Sequence, residues 1–150
     1  MYRRILVPVD GSDTSNKALV AALQLARDAG GRLRLVHALD ELVYLSGFEY
    51  GADVLNTARE QAMRVLREAA EVAQSAGVPA EQQLIESPGT RLGDCVAAEA
   101  RQWEADLVVL GTHGRRGIGR VLLGSGAEQI IRSSPVPVLV IRGEQQPAKA

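Results

Sequence analysis

The amino-acid sequence predicts a single α/β domain, a doubly wound five-stranded parallel sheet with helices on both faces. Short β-branched apolar runs alternate with segments of helical period along the chain, as in successive βαβ units. The fourth apolar run, DLVVL at residues 106–110, is too apolar to have a solvent-exposed face, which is typical of a buried parallel strand. The chain has 150 residues, the size of one domain, and contains no linker or internal repeat.

The first elements follow in the order strand, helix, strand. Residues 3–9 (RRILVPV) predict the first strand, and apolar residues at three-and-four spacing from Ala18 to Ala26 predict the first helix. Candidate caps before this helix and stop signals after it are Ser12, Asp13, Thr14, Gly30 and Gly31. Residues 32–39 predict the second strand.

The next elements repeat the alternation. Residues 53–76 predict a longer helix that ends at Gly77. Residues 81–87 (EQQLIES) predict a third strand, which is polar enough to lie at the edge of the sheet. A third helix extends to about Trp103, and we expect this side chain to pack the helix onto the sheet.

The last part of the chain combines a glycine-rich loop, a short helix and a strand. The loop extends from Gly111 to Gly124, and the helix begins near Ser125. The last strand, VPVLVI, begins at Val136 and ends at Ile141. We assign residues 1–142 to the domain and expect residues 143–150 to form a disordered tail.

Charge and composition argue against several classes of function. The chain has 17 basic and 18 acidic residues, and this net charge of -1 argues against nucleic acid as a partner. Its single cysteine, Cys95, cannot form an intramolecular disulfide or a Cys-rich zinc site, and we interpret it as a small apolar residue of the third helix. Pro8 and Asp10 interrupt the N-terminal apolar run, and no other run reaches the roughly 20 residues that cross a bilayer. We therefore expect a cytoplasmic protein without membrane association.

Two polar, glycine-containing turns follow the first and fourth predicted strands. Ligands of open α/β sheets bind beyond the carboxyl ends of the strands, where the strand order reverses. Glycines let backbone N–H groups approach an anion, and a helix amino end adds further donors and a favourable dipole. The sequence therefore predicts a phosphate site at this edge. Neither GxxxxGK[ST] nor a GxGxxG after the first strand occurs, which argues against classical NTPases and dinucleotide dehydrogenases.

The glycine-rich loop resembles a known signature. The spacing Gly111-x2-Gly114-x9-Gly124-Ser125 is similar to the G-2x-G-9x-G-[S/T] ATP-binding motif of the universal stress protein family. The opening ILVPVDGS and the closing PVPVLVIR resemble that family's first and last strands, so the resemblance extends over residues 3–142. It implies the strand order 3-2-1-4-5, which places the first and fourth strands side by side.

The same resemblance implies an ATP site, with magnesium or manganese held mainly by the phosphates. Pro8, Val9 and Asp10 would border the ribose and adenine, and the backbone at Ala38 would meet the adenine edge. The residues around the ribose and phosphates would be Gly111, His113, Gly114, Gly124, Ser125 and Gly126. The resemblance assigns no catalytic or metal-ligating residue.

Several of these residues also have a structural interpretation. Asp10 fits a turn or a helix cap, and Ser125 with Glu128 has the spacing of a capping box. His37 fits the end of a buried strand better than a metal site, and His113, with no carboxylate or nucleophile beside it in sequence, fits positioning better than catalysis. The three loop arginines are phosphate contacts or a solvated surface: Arg115, Arg116 and Arg120.

The hypothesis with most support is an ATP-binding regulatory module of the stress response that is not an enzyme. Bound ATP would change the lid and the dimer surface, and an unidentified regulatory protein partner would recognise the change. Residues 40–52 contain three of the five aromatic residues and predict a mobile lid, a partner-docking loop or a loop packed on its own domain. The apolar last strand at a sheet edge predicts a homodimer, as the resemblance also implies.

Two alternatives remain open. The first is an enzyme, either a slow ATPase or an autophosphorylating or nucleotidyl-transfer protein modified at His113 or Ser125. The second is a nucleotide-free scaffold that keeps its glycines for loop geometry.

Overall fold

The computed structural model describes residues 2–39, 51–87, 89–112 and 123–143. Strands and helices alternate along these residues: β1 (Arg4–Pro8), α1 (Asp13–Ala29), β2 (Arg32–Leu39), α2 (Gly51–Ser75), β3 (Ala80–Glu86), α3 (Leu92–Gln102), β4 (Leu107–Gly111), α4 (Ser125–Ser133) and β5 (Val138–Ile141). The predicted elements are confirmed, with bounds that differ by one or two residues. Within the described ranges, no helix is both long and apolar enough to cross a lipid bilayer.

Two predicted segments extend beyond what the structure describes. Of the predicted lid, residues 40–50 lie outside the described residues, and residues 51–52 belong to α2 instead of the loop. The helix starts earlier than predicted because a glycine and an alanine at its first two positions carry no apolar period in the sequence. Residues 144–150 of the predicted tail also lie outside the described residues.

The sheet has the predicted topology. Its strands are all parallel and lie in the order β3-β2-β1-β4-β5. The central strand β1 pairs with β2 from Arg4 to Pro8 and with β4 at Ile5 and Leu6. The chain crosses to β2 on one side of β1 and later to β4 on the other, so the strand order reverses here and opens a crevice beyond the carboxyl ends.

Helices cover both faces of the sheet, as predicted. On one face, α1 and α2 pack on strand residues that include Ile5, Val7 and Leu35. On the other face, α3 and α4 pack on strand residues that include Leu6 and Val108. The predicted packing role of the tryptophan at the end of α3 is confirmed, because its side chain belongs to this second core.

The start of α1 is fixed by one of its three candidate caps. Ser12 has the extended backbone conformation of a cap residue, and its Oγ accepts a hydrogen bond of 3.2 Å from the Ser15 N–H. Asp13 is the first helical residue, where its charge favours the helix dipole. This cap sets where α1 leaves the turn after β1, at the edge of the crevice.

The amino end of α3 packs on α4 through two glycines. The Gly93 N–H donates to Gln129 Oε1 at 3.2 Å, and a Cβ on Gly93 would lie 2.6 Å from the Gln129 carbonyl oxygen. A Cβ on Gly126 would lie 2.9 Å from Leu92 Cδ2. These contacts hold the first turn of α4 against α3 and so fix where α4 begins relative to the sheet.

Replacing Gly93 with alanine should destabilise the protein, although alanine usually favours a helix. The added methyl group overlaps the Gln129 backbone, so α3 and α4 must move apart, at a cost of about 1–3 kcal/mol in the free energy of unfolding. Urea denaturation measures this. Gly126→Ala is the matched control, with a smaller loss, because the end of the Leu92 side chain can move away. A Gly93→Ala variant as stable as the native protein would contradict the contact.

Candidate functional site

The crevice collects most of the residues that the sequence singled out. Pro8 ends the central strand β1, Val9 and Asp10 follow it, Ala38 lies near the end of β2, and Gly111 ends β4. The turn that begins α4 adds three more residues, Gly124, Ser125 and Gly126. The remaining members of the predicted set and the loop arginines lie outside the described residues: His113, Gly114, Arg115, Arg116 and Arg120.

Asp10 is held in a tight turn between β1 and α1. Its Oδ1 accepts a hydrogen bond of 2.9 Å from the Ser12 N–H, and its own N–H donates to Ser15 Oγ at 3.1 Å. Gly11, between them, has a φ of 81°, which a residue with a side chain rarely adopts. The turn interpretation of Asp10 is therefore confirmed, while the helix cap is Ser12. The turn fixes the Asp10 carboxylate at the carboxyl end of β1.

Val9 is bonded to β2 through both of its backbone polar groups. Its N–H donates to the Val36 carbonyl at 2.8 Å, and its carbonyl accepts from His37 Nδ1 at 2.7 Å. Sequence analysis placed His37 at the end of a buried strand, and this partly buried residue lies within β2. Its bond to a predicted site residue was missed. The position of His37 in the sequence could have indicated this bond. It lies near the end of the second strand, and the neighbouring parallel strands β1 and β2 end at the same edge.

The glycine-rich loop is closed at its base. The Gly124 N–H donates to the Thr112 carbonyl at 2.7 Å, and the Thr112 N–H donates to the Ile141 carbonyl at 3.0 Å. These bonds join Thr112 to Gly124 and to the last strand. Thr112 is 6% exposed, and its structural role was also missed, although it occupies a variable position inside the signature. The closure places the start of α4 beside the end of β4.

The predicted capping box at Ser125 is wrong. Gly124 has the extended cap conformation, so α4 begins one residue earlier than the box requires and Ser125 is its first helical residue. Glu128 is then one position too far along to reach back to the cap, and its carboxylate contacts Arg132 at 2.8 Å instead. The reason lies outside the helix, since the bond from the Gly124 N–H to the Thr112 carbonyl fixes where the helix starts.

The first turn of α4 presents backbone donors. The first helical hydrogen bond runs from the Glu128 N–H to the Gly124 carbonyl at 3.0 Å. The N–H groups of Ser125, Gly126 and Ala127 therefore have no carbonyl partner within the helix, as at the amino end of every helix. With the helix dipole, such donors favour an anion, and the turn lies at the crevice. The described ranges contain no group of three or more His, Cys, Asp or Glu side chains able to hold a metal ion.

Gly111 has a packing role that the signature does not reveal. A Cβ on Gly111 would lie 2.7 Å from both the carbonyl carbon and the carbonyl oxygen of Thr14. The absence of a side chain therefore lets the first turn of α1 lie directly on the end of β4. This glycine brings the Asp10 turn close to the loop that follows β4, whatever ligand binds there.

A groove of about 340 Å³ lies between the amino end of α3 and the length of α4. It includes Ser125, but its other lining residues belong to the two helices or precede them, and they carry charges of both signs. Two of these charges pair with each other, since Arg132 contacts Glu128. The groove is therefore separate from the crevice formed by the strand ends.

Replacing Gly111 with alanine should lower the free energy of unfolding by about 1–3 kcal/mol in the absence of any ligand, because the methyl group overlaps the Thr14 backbone. Urea denaturation of the nucleotide-free protein measures this. Gly143→Ala is a matched control, since its Cβ would meet the same residue only at the Cγ2 methyl group, at 3.0 Å. Native stability in Gly111→Ala would mean that packing does not require this glycine.

Comparisons with known proteins agree with the motif and the topology. The model of the universal stress protein family matches residues 1–142. A putative universal stress protein of Staphylococcus aureus is 34% identical over 98% of this chain and 88% of its own length. The Archaeoglobus fulgidus universal stress protein in complex with dAMP is 26% identical, with a TM-score of 0.70, and the match covers 93% of this chain and 98% of that one. A universal stress protein in complex with cAMP is 26% identical, with a TM-score of 0.67, over 95% of this chain and 98% of that one. The chain belongs to the universal stress protein family.

Proposed function

We propose that this protein binds ATP in the crevice and acts as a nucleotide-responsive regulatory module. The observation that carries the proposal is the closure of the loop at Thr112 and Gly124, which brings the backbone donors of α4 to the crevice beside the Asp10 turn. Anions bind at such helix ends because unpaired N–H groups and the dipole act together. The bound dAMP and cAMP of two family members support an adenine nucleotide as the ligand.

Each part of the crevice has a role in this proposal. Pro8 and Val9 border the adenine and ribose, Asp10 accepts hydrogen bonds from ribose hydroxyls, and the backbone of Ala38 meets the adenine edge. The phosphates lie against Gly111 and the first turn of α4. The residues that complete the phosphate side are His113, Gly114, Gly124, Ser125 and Gly126. Magnesium or manganese would be held mainly by the phosphates.

The role we propose for the bound nucleotide is regulatory. Binding stabilises the state that holds the nucleotide, and an unidentified regulatory protein distinguishes the bound from the free form. We propose no catalytic residue. Any hydrolysis would be slow, on the order of 10⁻⁴ per second, as for a small GTPase without its activator.

One observation favours a second candidate, a nucleotide-free scaffold. Gly111 is needed for packing against Thr14, so at least one glycine of the signature has a structural explanation without a ligand. Calorimetric titration distinguishes the two functions, because a scaffold gives no heat with ATP, ADP or AMP.

We also propose that the protein forms a homodimer through β5. Among the described strands, β5 pairs only with β4, and its odd-numbered carbonyls face β4, since Val108 and Thr112 donate to Pro137 and Ile141. By alternation, the backbone groups of Val138 and Val140 face the free edge. Leu139 is 38% exposed beside that edge. An unpaired apolar edge favours pairing with another strand, and a second copy supplies one.

Replacing Asp10 with asparagine should separate its turn role from its ligand role. Asn retains an Oδ1 that can accept from the Ser12 N–H, so stability should change by less than about 0.5 kcal/mol. The affinity for ATP should fall about 10- to 100-fold, the value of one hydrogen bond to a charged group. Calorimetry gives the affinity and urea denaturation the stability. Asp10→Ala, which loses both roles, is the comparison. Native affinity in Asp10→Asn would remove Asp10 from the proposed site.

Replacing Leu139 with lysine should weaken the dimer, because a charge beside an edge strand opposes strand pairing. Analytical ultracentrifugation of the native protein at micromolar concentration should show a dimer, and the variant should sediment as a monomer. Val54→Lys on α2 is a matched control, since Val54 is 46% exposed and lies away from β5, and it should remain dimeric. A monomeric native protein or a dimeric Leu139→Lys variant would contradict the proposed interface.

A further inference from the structure

The ladder between β1 and β2 ends in an unusual way at the crevice. The paired positions run from Arg4 opposite Arg32 to Pro8 opposite Val36, and the Val9 N–H adds one bond to the Val36 carbonyl at 2.8 Å. In a parallel ladder that continued by one more bond, the Val9 carbonyl would accept from the Ala38 N–H. It accepts instead from His37 Nδ1, at 2.7 Å. A side chain has replaced a backbone donor at the last rung.

This replacement leaves the Ala38 backbone facing the crevice. The N–H and C=O of a strand residue point to the same side, and this side alternates along the strand. Because the Val36 carbonyl faces β1, the polar groups of Ala38, two residues later, face the same way. By this point β1 has ended at Pro8. Ala38 therefore presents one donor and one acceptor to the space beyond the central strand.

The bond also requires the ring to donate from Nδ1. A carbonyl oxygen only accepts, so Nδ1 of His37 carries the hydrogen that lies between the two groups. If the His37 side chain did not donate to the Val9 carbonyl, the Ala38 N–H would be the backbone donor in register with it. The ladder between β1 and β2 would then be longer by one hydrogen bond. The Ala38 donor would then be lost to any ligand.

We propose that His37 is a positioning residue for base recognition. It holds the Val9 carbonyl so that the Ala38 N–H can donate to N1 of adenine, while the Ala38 carbonyl accepts from the 6-amino group. The inference rests on the proposed function for its ligand. The effect of His37 on the hydrogen bonding of the Ala38 N–H does not require a bound nucleotide. His37 itself need not touch the nucleotide.

The first test uses the nucleotide-free protein. Amide hydrogen exchange at Ala38, followed by NMR, should be about tenfold slower in His37→Leu, because that amide enters the ladder and local opening must precede exchange. His37→Asn is the matched variant, since its Nδ2 can donate to the same carbonyl and should preserve native exchange. The exchange rate at Val36, which lies in the ladder in every variant, is the internal reference. Unchanged exchange at Ala38 in His37→Leu would overturn the inference.

The second test uses two ligands that differ at one atom. The native protein and His37→Asn should bind AMP about tenfold more tightly than 1-deazaadenosine 5′-monophosphate, which lacks the N1 acceptor, as one neutral hydrogen bond predicts. His37→Leu should bind AMP and the 1-deaza analogue equally, with the affinity that the native protein has for the analogue. Its melting curve should show that it remains folded. Native-like discrimination in His37→Leu would overturn the inference and leave the proposed function intact. If the native protein binds neither ligand, the proposed function fails, and the exchange at Ala38 still decides whether His37 controls the backbone.

Discussion

The structure depends on the central strand β1 pairing with a different strand on each side. Its partners, β2 and β4, are reached by crossovers whose helices cover opposite faces, so the described helices leave a crevice beyond its carboxyl end. The crevice is therefore a consequence of topology. Pro8, Val9 and Asp10 occupy it because β1 ends there. The site needs no separate scaffold, since the same pairing that buries Ile5 and Val7 also positions the turn.

Glycines have two distinct roles in this structure, close packing of elements and placement of backbone donors. Gly111 lets α1 lie on β4, and Gly93 lets α3 lie on α4, both through contacts with backbone atoms. These close approaches bring the two helix amino ends to the same edge as the strand ends. A glycine in a nucleotide signature is therefore not evidence of ligand contact at that position. The hydrogen bond between Gly124 and Thr112 is different, because it sets the position of backbone donors.

Local bonds also adjust what the topology provides. The Asp10 carboxylate holds its own turn through Ser12, so its orientation is set before any ligand arrives. His37 holds the carbonyl of Val9 and so decides where the ladder between β1 and β2 stops. Preorganised groups of this kind reduce the ordering cost of binding. These bonds give the crevice a defined set of donors and acceptors.

The sequence by itself determined the elements and their order, because hydrophobic period, turn residues and glycine stops are local properties that survive without a tertiary context. The strand order came from a family resemblance carried by the glycine motif and by the first and last strands, and the sheet confirmed the order. The glycine turns predicted a phosphate site, and the resemblance added its residues. Tertiary structure alone decided the rest. Gly124 caps α4 and His37 reaches Val9 because each bond depends on which backbone group, distant in sequence, lies within about 3 Å. Spacing along a chain does not encode such distances.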